Sequence, residues 1–140
     1  MVYKIYMEIV GTIFAKDNKT LICKPVKRST YQMIGGRIEK SDASTLDAAV
    51  RQCYREMGIK NLDPNLFELV MEFDEGMPNN PNLKMHFYVY HYKGELPCEP
   101  KTNEDVEGFL WYDSRYNTDI LSPTLKTQVI PYCIKNGLIK

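Results

Sequence analysis

A pair of glycines, Gly35-Gly36, is followed by Arg37, Glu39 and Asp42, and then by Arg51, Gln52, Arg55 and Glu56 within a stretch of helical spacing. Residues at i, i+3 and i+4 share one helix face, so the side chains at 52, 55 and 56 project to the same side. Carboxylates gathered in this way hold hard cations through oxygen. A guanidinium such as Arg55 instead grips a phosphate directly through its fork of donors. The glycine pair serves a tight turn, and it also lets a backbone N–H come close to a phosphate. An ordinary reading stands beside these: Arg51, Arg55 and Glu56 form a solvated helix face, with Asp47 and Arg51 as an i,i+4 pair and Arg55 complementing the helix C-terminal dipole.

These residues need elements to position them. Residues 3 to 10 alternate, with Tyr3, Ile5, Met7 and Ile9 on one side, which predicts a half-buried strand. Residues 12–15 and 20–23 flank Lys16-Asp17-Asn18-Lys19 and predict a hairpin, and Gly35-Gly36 is expected to break the chain after Tyr31 to Ile34. Apolar residues at 46, 49, 50, 53 and 57 form a helical stripe, with Ser44 or Thr45 placed to cap it and Gly58 to end it.

Strand patterns return over 66–73 and 85–92, separated by the loop chemistry of residues 76–82, which could overhang a pocket. A further strand is expected over 109–112. A last helix opens at Ser122-Pro123, and Pro131 should kink or divide it. With no repeat or linker in view, this order predicts one α/β domain over residues 1–140, a mixed sheet sandwiched between helices.

Composition narrows the function classes. Eighteen basic residues balance eighteen acidic ones without a long block of either sign, so a nucleic-acid-binding arm is not expected. The start alternates instead of forming a basic leader with an apolar run, and no stretch reaches membrane-spanning length, so a cytoplasmic protein without a membrane partner is expected. Cys23, Cys53, Cys98 and Cys133 lack CxxC pairing, and three of them sit in apolar patterns typical of buried reduced thiols. His86 and His91 fall on opposite faces of their strand and cannot share a metal. Tyr88, Tyr90 and Tyr92 share a face that could stack a nucleobase, although strands favour aromatic residues for packing alone, and Trp111 reads as core.

The stretch from Gly36 to Ile59 resembles the Nudix box, G-x5-E-x7-R-E-U-x-E-E-x-G-U with U apolar, through Gly36, Arg51, Cys53, Glu56, Gly58 and Ile59. Tyr31 to Gly36 is similar to the W-x-x-P-G-G that precedes the box. Asp105 to Trp111 is similar to the acidic residue and Trp-bearing strand that come later in the family. There are two departures. The span from Gly36 to Arg51 is one residue longer than the pattern, so its loop glutamate corresponds to Asp42 or is missing, with Glu39 nearby. Two helix carboxylates at metal-binding positions become Gln52 and Arg55.

The resemblance implies a hydrolase that cuts the pyrophosphate bond of a nucleoside diphosphate linked to another moiety, with Mg²⁺ or Mn²⁺ as cofactor and a nucleotide-like small molecule as partner. It implies Glu56, Arg51 and Asp105 as catalytic, with Arg51 orienting carboxylates. Glu56, Asp42 and Glu39 would hold metal, with Glu104 and Glu107 as further carboxylates, and Gly35, Gly36 and Arg55 would bind substrate. The two departures predict weakened metal binding. A catalytically silent nucleotide-binding or protein-interaction domain therefore stands as the alternative, an unrelated α/β domain as a third, and a homodimer is left open.

Overall fold

The computed structural model describes residues 4–77 and 80–140, with side chains from residue 7 onward. Its first strand, β1 (Lys4–Lys16), is continuous. The expectation of separate strands over 3–10 and 12–15 is corrected, because Gly11 stays in the ladder, paired with Gly35 on one side and Val89 on the other. Tyr3 lies outside the described residues. Asp17 and Asn18 turn the chain with φ of 53° and 65°, the left-handed backbone that Asp and Asn tolerate best among residues with a Cβ, and the two-residue hairpin leads into β2 (Lys19–Pro25).

The glycine pair corrects a second expectation. Gly35 and Gly36 do not make a turn; they lie inside β3 (Ile34–Arg37), which runs antiparallel to β1. Glycine is required there by close approach: a Cβ at 35 would overlap the carbonyl oxygen of Val10, and one at 36 would come 2.8 Å from Nε2 of Gln52.

Helix α1 (Thr45–Met57) follows its predicted bounds. Ser44 Oγ accepts from Asp47 N–H, and Gly58, at φ 72°, ends the helix by donating its N–H to Tyr54 O.

A third correction concerns residues 76–82. Strands β4 (Phe67–Met77) and β5 (Asn80–Tyr92) are paired antiparallel and take in residues 76–77 and 80–82 as strand instead of loop, while residues 78–79 lie outside the described residues; Gly76 and Met77 do line a recess. The last strand, β6 (Val106–Tyr112), pairs with β2. The terminal helix changes register near Pro131 without breaking: a π-helical stretch over Leu125–Val129 passes into α2 (Ile130–Lys135) with helical backbone at Val129 and Ile130, and the wider turn lies just before the proline, which has no N–H to donate.

The sheet is mixed, ordered β4-β5-β1-β2-β6 with β3 added on β1, and β1 pairs parallel with β5. Alternation along the strands divides the core between two faces. Val10, Phe14, Leu21, Cys23, Tyr90 and Tyr92 pack with α1, whereas Ile13, Ile22 and Val89 pack with the terminal helix. The sheet is thus sandwiched between helices, as expected. Tyr90 and Tyr92 are buried in the core, and Trp111 packs against it. Burial pushes the free thiols of Cys53 and Cys133 up to about 12, and that of Cys23 is raised as well.

Candidate functional site

Helix α1 is held against the end of β3 by two adjacent side chains. Gln52, 3 % exposed, donates its Nε2–H to Arg37 O at 3.0 Å, and Arg51 Nη2 donates to the same carbonyl at 3.0 Å. Arg51 also forks onto Asp42, with Nε to Oδ1 at 2.8 Å and Nη2 to Oδ2 at 2.8 Å, while Asp42 Oδ2 accepts Glu39 N–H at 2.8 Å. The Arg51 hydrogen bonds and the Glu39 N–H hold the Asp42 carboxyl down to about 2. Arg51 therefore pairs with Asp42 and not with Asp47.

One turn further along α1 the arrangement opens. Glu56 Oε1 accepts the N–H of Gly35 at 2.5 Å, which ties the helix to the glycine pair. Burial raises the Glu56 carboxyl to about 7; the Gly35 N–H and the Arg55 charge pull it down, and Asp105 pushes it up. Asn103 fixes the opposite wall. Its amide donates to Arg55 O and Glu56 O at 3.2 and 3.3 Å, and its Oδ1 accepts the N–H groups of Asp105 and Val106. Asp105 O in turn accepts Val26 N–H, which brings in the turn that carries Lys27 and Arg28.

Between these walls lies a cavity of about 420 Å³. Lys27, Arg28, Arg37 and Arg55 line it, together with the carboxylates Glu39, Glu56, Glu104 and Asp105. Among the described residues, none of those four cations has a carboxylate within ion-pair distance, unlike Arg51, Lys24 or Arg115. Gly35, Gly36, Arg55, Glu56, Glu39 and Asp105 are thus brought together, and Asp42 and Arg51 are not among the lining residues. Glu107 pairs with Lys24.

Lys27, Arg28, Arg37 and Asn103 were not foreseen as site residues. The adjacent Lys27-Arg28 after β2 and the arginine directly after Gly-Gly are the signals that sequence offers for the cations. Asn103 offers none.

The chain matches the NUDIX domain pattern over residues 7–116. It belongs to the Nudix family. An uncharacterized 17.7 kDa protein of Enterobacteria phage T4 is 34% identical over 94 residues, a stretch that spans 61% of this chain and 61% of that protein. Among solved structures of the same fold, the MutT protein from Methanosarcina mazei Go1 superposes with a TM-score of 0.73 at 14% identity, covering 97% of this chain and 99% of that one. The E. coli ORF135 protein gives 0.71 at 19% identity, covering 96% and 92%. A C. elegans Ap4A hydrolase, solved as a binary complex, gives 0.67 at 8% identity, covering 93% and 97%.

For a Nudix domain, the metal donors here are unusual. Asp42 is committed to Arg51, and Gln52 donates an amide N–H to Arg37 O. Arg55 stands beside Glu56, and among the described residues no group of three or more His, Cys, Asp or Glu is disposed to hold a metal ion. As placed, these side chains do not fit a preformed Mg²⁺ or Mn²⁺ site, which calls for several convergent oxygens. His86 lies elsewhere, held between Asp74 and Glu72, which raise its pKa, and His91 is buried. No helix among the described residues is long and apolar enough to cross a membrane.

Proposed function

We propose that this Nudix domain binds the phosphate chain of a nucleotide derivative in the charged cavity and hydrolyses its pyrophosphate bond, with weakened activity relative to the full box. The observation that carries this reading is Glu56, a half-buried carboxylate raised to about 7, in the wall of a cavity lined by Lys27, Arg28, Arg37 and Arg55. A carboxylate poised near neutral pH suits general-base work, which contributes roughly 10²–10⁴-fold. Ionised Glu56 takes a proton from water as the water oxygen bonds to phosphorus. The bridging P–O bond breaks, and its electron pair leaves on the departing phosphate or phosphate ester. The four cations neutralise the charge that builds on the phosphate oxygens. Gly35 N–H holds the carboxylate in place, and Arg51 acts through Asp42 and Arg37 by fixing the end of β3.

The test is product release from nucleoside triphosphates, dinucleoside polyphosphates and nucleotide sugars, run with Mg²⁺, with Mn²⁺ and with a chelator. Turnover that Glu56→Gln abolishes, with the fold intact by circular dichroism, supports the reading. Turnover unchanged in Glu56→Gln sinks it. A second reading, phosphate binding without cleavage, is favoured by one observation: Arg55 puts a permanent positive charge in the cavity where the box places a carboxylate. Metal-independent binding of inorganic triphosphate with no turnover of any compound would select it.

A further inference from the structure

Helix α1 ends at the charged cavity, and the partners of its last carbonyls single out one side chain. The final four C=O groups of an α-helix have no partner within it, and here they belong to residues 54–57. Gly58 N–H takes Tyr54 O at 2.8 Å, and Lys101 N–H takes Met57 O at 2.9 Å. The other two carbonyls, on Arg55 and Glu56, belong to residues that line the cavity. Both accept from Asn103 Nδ2, at 3.2 and 3.3 Å. Ending the helix does not require this, because Gly58 already does so in the left-handed conformation.

The opposite end of the Asn103 amide is anchored at the sheet. Its Oδ1 accepts Asp105 N–H at 2.8 Å and Val106 N–H at 3.0 Å, and the Asn103 N–H donates to Val106 O at 3.0 Å. Val106 is in the core and stands opposite Pro25 of β2. A side-chain amide has two N–H donors and an oxygen with two lone pairs, and Asn103 uses all four. Glu56 is thereby held twice, through its carboxylate by Gly35 N–H and through its backbone by Asn103.

We infer that Asn103 is a positioning residue of the charged cavity: by tying the α1 backbone at residues 55 and 56 to the start of β6, its amide fixes where Arg55 and Glu56 meet the phosphates. This role rests on the proposed phosphate site and adds to it a residue that acts through its neighbours. Displacing a reacting group by about 1 Å can cost on the order of 10²-fold in rate, so hydrogen bonds that hold a backbone in place act on turnover. Serine at 103 separates the two halves of the amide's work. Its hydroxyl oxygen can still accept from the turn, as Ser does more weakly than Asn, but it is shorter and has one hydrogen for two carbonyls.

Turnover of the best substrate of the panel reads the placement of Glu56: kcat of Asn103→Ser should fall roughly tenfold or more, with circular dichroism unchanged. Calorimetry with inorganic triphosphate reads the placement of Arg55, whether or not any compound is cleaved. Arg55→Gln should weaken binding roughly tenfold in the wild-type background and less than about threefold in Asn103→Ser, because a charge already displaced has little left to lose. A side chain that served only the fold would lower stability and leave the Arg55→Gln penalty unchanged. Asn103→Asp keeps the acceptor for the turn and has no donor at pH 8, so it replaces Asn103→Ser in both measurements if that variant fails to fold.

An Arg55→Gln penalty of the same size in both backgrounds overturns the inference, as does a kcat for the position-103 variant within about twofold of wild type. Failure of the wild type to bind triphosphate overturns it together with the phosphate site. A reduced penalty in a protein that turns nothing over supports the positioning role and overturns the hydrolytic proposal alone.

Discussion

The two ends of one helix face behave differently. At residues 51 and 52 the polar groups are consumed internally: Arg51 grips Asp42, and both Arg51 and Gln52 donate to Arg37 O. At residues 55 and 56, one turn away, a cation and a carboxylate face the cavity, and only the Gly35 N–H is given to Glu56. The first end behaves as a latch that sets where β3 stops. The second keeps its charge available for a ligand. Substitutions at the latch should therefore read out mainly in stability, and substitutions at the open end mainly in turnover and binding.

The largest effect is expected at Glu56. Glu56→Gln should lower kcat by a hundredfold or more, the loss of a general base. It should also stabilise the fold at alkaline pH. A carboxyl raised from 4.5 to about 7 on folding keeps its proton in the native state while the unfolded chain has lost it. Native stability therefore falls as pH rises from 4.5 through 7, by about 3 kcal/mol at most, and stays low above that. Urea melts of both proteins at pH 5 and pH 8 measure this: wild type should weaken more between the two than Glu56→Gln does, the histidine contributions being common to both.

Next comes Gln52→Glu, which on the box pattern restores a carboxylate. In this fold it would set a buried negative charge against Arg37 O, and it should destabilise by about 2 kcal/mol. No gain in metal affinity is expected by calorimetry with Mn²⁺. A rise in Mn²⁺ affinity at unchanged stability would break the latch account. Arg55→Gln should weaken inorganic triphosphate binding roughly tenfold, with little change in melting temperature, as expected for one charge-assisted contact.

The smallest effect is expected from Asp42→Asn, about 1 kcal/mol of stability at neutral pH. Because folding depresses this carboxyl from 3.8 to about 2, its contribution is present above the higher value and disappears as pH falls toward the lower one. The stability gap between wild type and Asp42→Asn should close in acid.

Much of the fold was legible because the signals were local. The stripe from Leu46 to Met57, the Ser44 cap and the Gly58 stop each act within one turn of chain. What failed to show were features set by partners distant in sequence. Gly35 and Gly36 look like a turn until β1 is placed against them, and residues 76–77 and 80–82 look like loop until β4 and β5 pair. The site divides the same way. Glu56, Arg55 and the glycine pair stood out from spacing, whereas Lys27, Arg28 and Arg37 reach the cavity from segments that only tertiary packing brings together. Asp42 was a candidate ligand by position along the loop, and its bidentate pair with Arg51 depends on a loop path that spacing does not describe.

The most direct test of Glu56 as proton acceptor is the pH dependence of kcat/KM for the best substrate of the panel, measured at fixed ionic strength. The account predicts a rise with pH governed by a group of apparent pKa near 7, absent from the residual rate of Glu56→Gln. A profile already flat above pH 5, or a rise near 7 that persists in Glu56→Gln, would contradict it.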